Sequence, residues 1–184
     1  MKKHICVYCG SRKGNYPKFP ELAKQAGREI AQRNWGIVYG GGKIGIMGEI
    51  ANAALTEGGD VIGVIPTQLK DREVAHKGLT DLHETQDMHT RKALMESLSD
   101  AFLVLPGGFG TLDEFFEILT WRQLGIHNKP IFIINVDGYF DGLLKFTNNA
   151  VKHDFIHKES LSLFHVCEDL DSFLQQLERF FELS

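Results

Sequence analysis

The sequence predicts a single α/β domain spanning residues 1–184, built on a doubly wound, mostly parallel sheet with helices on both faces. Three observations predict it. Short, continuously apolar runs alternate with longer amphipathic ones, the pattern of strands buried on both faces and the helices that cover them. Two of the apolar runs, Ile37-Val38-Tyr39 and Leu103-Val104-Leu105, lead into glycine-rich loops followed by helical patterns, as βα units do. No Pro-, Gly- or Ser-rich linker and no low-complexity tract divides the 184 residues, a length that suits one core.

Taken in order, Ile5–Tyr8 reads as the first strand, and Phe19–Arg33 as a helix with Leu22, Ala26 and Ile30 at helical spacing. Ile37–Tyr39 is the second strand and Ile46–Leu55 the second helix. Val61–Ile65 is the third strand, stopped by Pro66, whose missing N–H ends a ladder. Residues 66–80 are polar and of mixed charge and read as a loop. Leu82–Thr85 is a short strand, followed by a helix over 88–99. Phe102–Leu105 is a strand, Leu112–Leu124 a helix and Pro130–Asn135 a strand. A helix over 139–152, a strand Leu163–Val166 and a helix over 170–181 complete the chain.

Composition narrows the function classes. The chain is 43% hydrophobic and 24% charged with a formal net charge of -4, which argues against a general nucleic-acid or anionic-membrane surface. No apolar run approaches the roughly 18–20 residues that cross a bilayer, and the two lysines at the start precede no long apolar stretch. Three cysteines are odd in number and too sparse for a disulfide framework, so the cytoplasm is the expected compartment.

The chemistry concentrates on the two glycine loops, which in an open α/β sheet lie at the carboxyl ends of strands and form two walls of one crevice. The first, Gly40-Gly41-Gly42-Lys43-Ile44-Gly45, formally contains the G-x-G-x-x-G spacing of dinucleotide sites. That reading also needs an acid at the end of the next strand to hold a ribose hydroxyl. Here the strand ends in Pro66-Thr67-Gln68, and Asp60 stands at the wrong end, so a nicotinamide site is disfavoured. A Walker A loop is absent, because Ile44 follows Lys43. The second loop runs Pro106-Gly107-Gly108-Phe109-Gly110-Thr111 into Leu112-Asp113-Glu114. Glycines just before a helix let backbone N–H groups approach an anion, and the helix terminus adds partial positive charge; phosphate is the natural guest. A tight turn without ligand needs fewer glycines, given their entropic cost.

Glu114 has two readings. Thr111-Leu112-Asp113-Glu114 fits a capping box, in which the glutamate reaches back to a helix-start N–H; a phosphate there would instead leave Glu114 to face the sugar. Arg91 lies three, four and seven residues before Leu94, Met95 and Leu98 and so shares their inward face. A buried arginine needs an anion, either a core carboxylate or a substrate. Cys6-Val7-Tyr8-Cys9 lies on a strand, not at a helix start, and has no second ligand pair, which disfavours redox or zinc use. No metal site is expected. Phe115, Phe116, Leu119, Phe180 and Phe181 read as core or subunit contact.

Pro106–Glu114 resembles the P-G-G-x-G-T-x-x-E signature of the LONELY GUY family, cytokinin riboside 5′-monophosphate phosphoribohydrolases often mislabelled as lysine decarboxylases. The resemblance continues through Cys9–Ser11, Tyr39–Gly42, Asp71–Glu73, Asp87–Lys92, Thr120-Trp121, Gln123–His127 and Asn135–Tyr139, and so covers nearly the whole chain in order. It implies a Rossmann-like fold, a homodimer, and no metal or nicotinamide cofactor. It implies that Arg91 and Glu114 form the catalytic pair. Substrate binding falls to Glu73, Lys92, Met88, Ser11, Gly41 and Gly42, and to Gly107, Gly108, Phe109, Gly110, Thr111, Leu112 and Asp113. The implied reaction is hydrolysis of the base–ribose bond of a purine nucleoside 5′-monophosphate, AMP or an N6-substituted AMP, with no nucleic-acid or membrane partner. A non-catalytic nucleotide sensor or carrier on the same fold is the alternative.

Overall fold

A computed structural model describes residues 2–70 and 74–183. Its elements are β1 His4–Tyr8, α1 Lys18–Gln32, β2 Gly36–Tyr39, α2 Gly45–Thr56, β3 Val61–Pro66, β4 Asp81–Thr85, α3 Met88–Ser97, β5 Ala101–Val104, α4 Phe109–Gln123, β6 Ile131–Ile134, α5 Asp141–Lys152, β7 His165–Cys167 and α6 Leu170–Leu183. The seven strands form one sheet in the order β4-β3-β2-β1-β5-β6-β7, every pairing parallel. The expected "mostly parallel" sheet is therefore wholly parallel. Successive strands step outward from β1 to β4. The chain then crosses back through α3 and lays β5 against the free side of β1.

Alternation along each strand divides the core in two. Ile5 and Val7 join Ile30, Ile50, Phe173 and Leu177 under α1, α2 and α6. Cys6 and Tyr8 join Met95, Phe115, Ile118 and Phe140 under α3, α4 and α5. Because both faces are covered, the inner strands β1, β2, β5 and β6 are apolar nearly throughout, as the sequence pattern requires.

Most boundaries shift by one or two residues from the sequence reading, and two of the shifts have a clear physical cause. Helix α4 begins at Phe109 rather than Leu112, so Gly110 and Thr111 lie in its first turn. Glycine reads locally as loop because it costs a helix about 1 kcal/mol relative to alanine. Here the buried Phe115 and Ile118 dock the helix on the sheet, and packing outweighs that propensity. The last strand starts at His165 rather than Leu163, since Lys158–Leu163 form a 3₁₀ turn and β6 pairs only from Phe132↔His165 onward. No helix of the described residues is long and apolar enough to cross a membrane.

Three histidines are held neutral by burial, which pushes His76, His127 and His165 below their ordinary range. In His127, Nδ1 accepts from the Lys129 N–H at 3.1 Å, so Nε2 carries the hydrogen and donates to the Ile118 carbonyl at 2.9 Å. His76 is arranged alike: the Gly78 N–H donates to Nδ1, and Nε2 faces Asn52 Oδ1. A folded-state value below the unfolded 6.5 means that the unfolded chain binds more protons as pH falls. The stability these groups contribute is complete above that value and is lost as pH drops through the lower, folded-state value. The urea midpoint is therefore expected to fall between about pH 7.5 and pH 5.5, and His127→Gln to flatten the slope.

Candidate active site

The reversal of strand order places β1 beside β5, and a crevice opens at their carboxyl ends. A cavity of about 650 Å³ lies there. Its floor is the contact between the two loops that leave these strands. The Gly10 N–H donates to the Pro106 carbonyl at 3.0 Å, and a Cβ on Gly107 would lie 2.0 Å from Thr111 Oγ1 and 2.9 Å from the Gly10 nitrogen. Glycine is required at 107 by close approach. At Gly108 and Gly110 a Cβ would meet nothing within 4 Å; these positions face open space.

Gly108 is the N-cap of α4, in extended conformation and without a side-chain cap. The N–H groups of residues 108–111 point beyond the helix and have no intrahelical acceptor, which leaves them to an anion. The capping-box reading of Thr111 and Glu114 is corrected here: with the helix starting at Phe109, Thr111 already sits in its first turn. Glu114 therefore lies too deep in the helix to reach a helix-start N–H. It faces the cavity instead, 8% exposed.

Arg91 comes from the first turn of α3, which Asp87 caps by accepting from the Thr90 N–H at 2.7 Å. Its Nε donates to the Val64 carbonyl at 3.1 Å and its Nη2 to the Gly40 carbonyl at 3.3 Å, and Nη2 stands 3.7 Å from Glu114 Oε1. A Cβ on Gly40 would fall 2.2 Å from that same Nη2, so the first glycine loop makes room for the guanidinium. The two sequence readings of Arg91 meet in one place. It pairs with a buried carboxylate, and both groups line the cavity.

The other expected residues divide. Ser11, Met88, Gly107, Gly108, Phe109, Gly110 and Thr111 line the cavity. Gly41, Gly42, Lys92, Leu112 and Asp113 do not. The first loop beyond Gly40 serves the backbone of the segment after β3: the His76 N–H donates to the Gly41 carbonyl at 2.9 Å, and Gly42 bridges Ala75. Lys92 clamps α3 to α4 through Asp113, at 3.0 Å, and Glu117. Burial alone would lower its pKa, but those two carboxylates outweigh burial and raise it. Glu73 lies outside the described residues, as do Asp71 and Arg72.

Sequence reasoning missed Arg12, Asn15, Phe19, Leu69 and Tyr139, which also border the cavity. Arg12 adds a second cationic residue to the cavity lining. The loop after β1 that carries it directly follows Gly10, and its position at the carboxyl end of a central strand was the available signal. Asp60 indeed stands at the amino end of β3, paired with Lys2 at 2.6 Å, so it cannot hold a ribose in this crevice. Cys6 and Cys9 are free, buried and contributed to opposite faces of the sheet, and burial pushes both thiols up, away from redox chemistry.

Comparison with known proteins adds a family. A family model described as "possible lysine decarboxylase" matches residues 47–177. A cytokinin riboside 5′-monophosphate phosphoribohydrolase of Rhodococcoides fascians is 48% identical over 170 residues, covering 92% of this chain and 86% of its own. One from Arabidopsis thaliana is 43% identical over 178 residues, covering 97% of this chain and 82% of its own. Among solved structures, a molybdenum cofactor carrier protein of Chlamydomonas reinhardtii superposes with a TM-score of 0.76 over 100% of both chains at 19% identity, a likeness of fold alone.

Proposed function

Since the chain belongs to this family, whose members include the cytokinin riboside 5′-monophosphate phosphoribohydrolases, we propose that it hydrolyses the N-glycosidic bond of a purine nucleoside 5′-monophosphate, releasing free base and ribose 5-phosphate. The observation that carries the reading is the buried Arg91–Glu114 pair facing a cavity that the uncapped start of α4 also lines.

The 5′-phosphate sits on the amides of residues 108–111, with Arg12 as counter-charge, and so fixes where the ribose lies. The bond from C1′ to the base breaks through an oxocarbenium-like state; its electron pair leaves with the base. Glu114 stabilises the positive charge developing on the ribose and takes a proton from the attacking water, whose oxygen bonds to C1′. The released base takes up a proton, which balances the hydrolysis. Arg91, tethered to two carbonyls, holds the Glu114 carboxylate in place. The apolar side chains of Met47, Met88 and Leu69 supply surface for a purine. Glu73 is assigned to the sugar or base from the neighbouring loop. AMP and N6-substituted AMP are the proposed substrates. We assign the enzyme to the cytoplasm, where three unpaired thiols suit a reducing compartment, and to a homodimer that covers exposed apolar side chains such as Leu124 and Ile126.

The decarboxylase description does not fit the residues present. Pyridoxal phosphate chemistry needs a lysine that gives up its proton to form a Schiff base. No lysine lines the cavity among the described residues, and Lys92 is held charged by its two carboxylates.

The test is substrate form. Incubated with AMP, N6-prenylated AMP and their unphosphorylated ribosides, the enzyme is expected to release base and ribose 5-phosphate from the monophosphates only, as read by chromatography. Equal turnover of the ribosides would contradict the anion anchor. Tight binding with no base release from any of them would favour a nucleotide carrier.

A further inference from the structure

The turn after β6 carries a residue that the mechanism above leaves unused. Val136–Gly138 form a single 3₁₀ turn in which Asp137 is left-handed at φ 48° and Gly138 follows at φ 74°. A non-glycine residue there is strained, and such strain persists only where the surroundings over-determine it. They do so here. Asn135 Oδ1 accepts from the Phe140 N–H at 2.7 Å, Asn135 Nδ2 donates to Asp141 Oδ1 at 2.8 Å, and Asp137 pairs with Lys18 of α1 at 2.8 Å. The product of this bracing is the placement of Tyr139. Its ring packs edge-on against Phe19 and Phe140, with centroids 5.2 Å and 4.9 Å away, and its hydroxyl donates to the Gly107 carbonyl at 2.5 Å.

That carbonyl belongs to the same peptide unit as the Gly108 N–H. In a trans peptide the two point in opposite directions, so pinning one aims the other. Gly107 and Gly108 have the widest conformational freedom of any residue pair, and nothing crowds Gly108 from the side. Left alone, this peptide would sample orientations that withdraw the first amide of the anion cradle.

We propose that Tyr139 is a positioning residue for the phosphate: its phenol locks the Gly107–Gly108 peptide so that the Gly108 amide stays aimed at the bound anion. The inference rests on the phosphate reading above and deepens it. Tyr139 acts on binding of the charged group through the backbone. The chemistry at C1′ is left to Glu114 and Arg91.

The experiment compares Tyr139→Phe with the parent enzyme. The phenylalanine keeps the ring contacts with Phe19 and Phe140 and loses only the hydrogen bond. Its KM for the nucleoside monophosphate is expected to rise about five- to tenfold, with kcat within about twofold, the split that loss of uniform binding produces. Inorganic phosphate, titrated into protein carrying ¹⁵N-glycine, is expected to shift the Gly108 amide signal of the parent and to bind several-fold more weakly to the variant. Unchanged KM and unchanged phosphate affinity would overturn the proposal, as would a fall in kcat alone. If the parent releases no base, the hydrolase reading fails, and the phosphate titration still decides the role of Tyr139. A circular dichroism melt of both proteins separates this effect from unfolding.

Discussion

Glu114→Gln is expected to abolish base release, lowering kcat by about a thousandfold or more, while leaving affinity for the nucleoside monophosphate within a few-fold of the parent. The substitution is nearly isosteric, and the cradle at residues 108–111 does not involve the side chain of residue 114. What disappears, on the mechanism proposed, is the negative charge that would face the developing oxocarbenium ion and the site that would accept the proton of the water. A neutral amide offers neither. Single-turnover release of base measured beside equilibrium binding of the monophosphate separates the two quantities. Near-parental release by the Gln enzyme would remove Glu114 from the mechanism.

Arg91→Ala is expected to be the more damaging change, because it strikes both fold and chemistry. The guanidinium is 4% exposed and ties α3 to the ends of β2 and β3 through the carbonyls of Gly40 and Val64. Its removal strips those carbonyls of a donor and takes a counter-charge from the buried Glu114 carboxylate. Removing one partner of a buried pair costs about 3 kcal/mol or more, and turnover is expected to fall at least about a hundredfold as Glu114 loses its orientation. Adding Glu114→Gln to Arg91→Ala should restore part of the lost stability, since the stranded charge is then gone. Denaturant midpoints of the four proteins in this cycle measure the coupling. Additive effects would mean that the two groups do not act as a pair.

The residues show why some of this was legible early. His4–Tyr8, Gly36–Tyr39 and Ala101–Val104 are strands because each is built on a short apolar run bounded by turn residues, and burial on both faces leaves no other economical place for them. Arg91 and Glu114 were recognisable separately, one by its helical spacing from Leu94 and Met95, the other by following a glycine loop. Their meeting was not. They stand on different helices, on opposite sides of β5 in the chain, and come within 3.7 Å only because β5 returns to lie against β1. Lys92 shows the reverse case. Next to Arg91 in the chain, it points about 100° away around the helix and meets Asp113 and Glu117 instead of the cavity.

Glu114 also marks the limit of local reasoning about helix ends. The capping box was a fair reading of Thr111–Glu114, yet α4 starts earlier because the packing of Phe115 and Ile118 carries the helix through Gly110. Tyr139 was visible only as the end of the motif Asn135–Tyr139. Its turn chemistry was legible in Asn135, Asp137 and Gly138, but its contact with Gly107, 32 residues away, was not.

By itself, the sequence determined the strands and helices, the parallel sheet they build, and the glycine loop that suits an anion, because periodicity, turn residues and close backbone approach are local properties of the chain. The tertiary structure alone decided which side chains share the crevice, and it admitted Arg12 and Tyr139 while sending Lys92 and Asp113 elsewhere. Strand order and helix rotation set those distances, and both are settled by burying two apolar faces at once, a condition that no short stretch of residues carries.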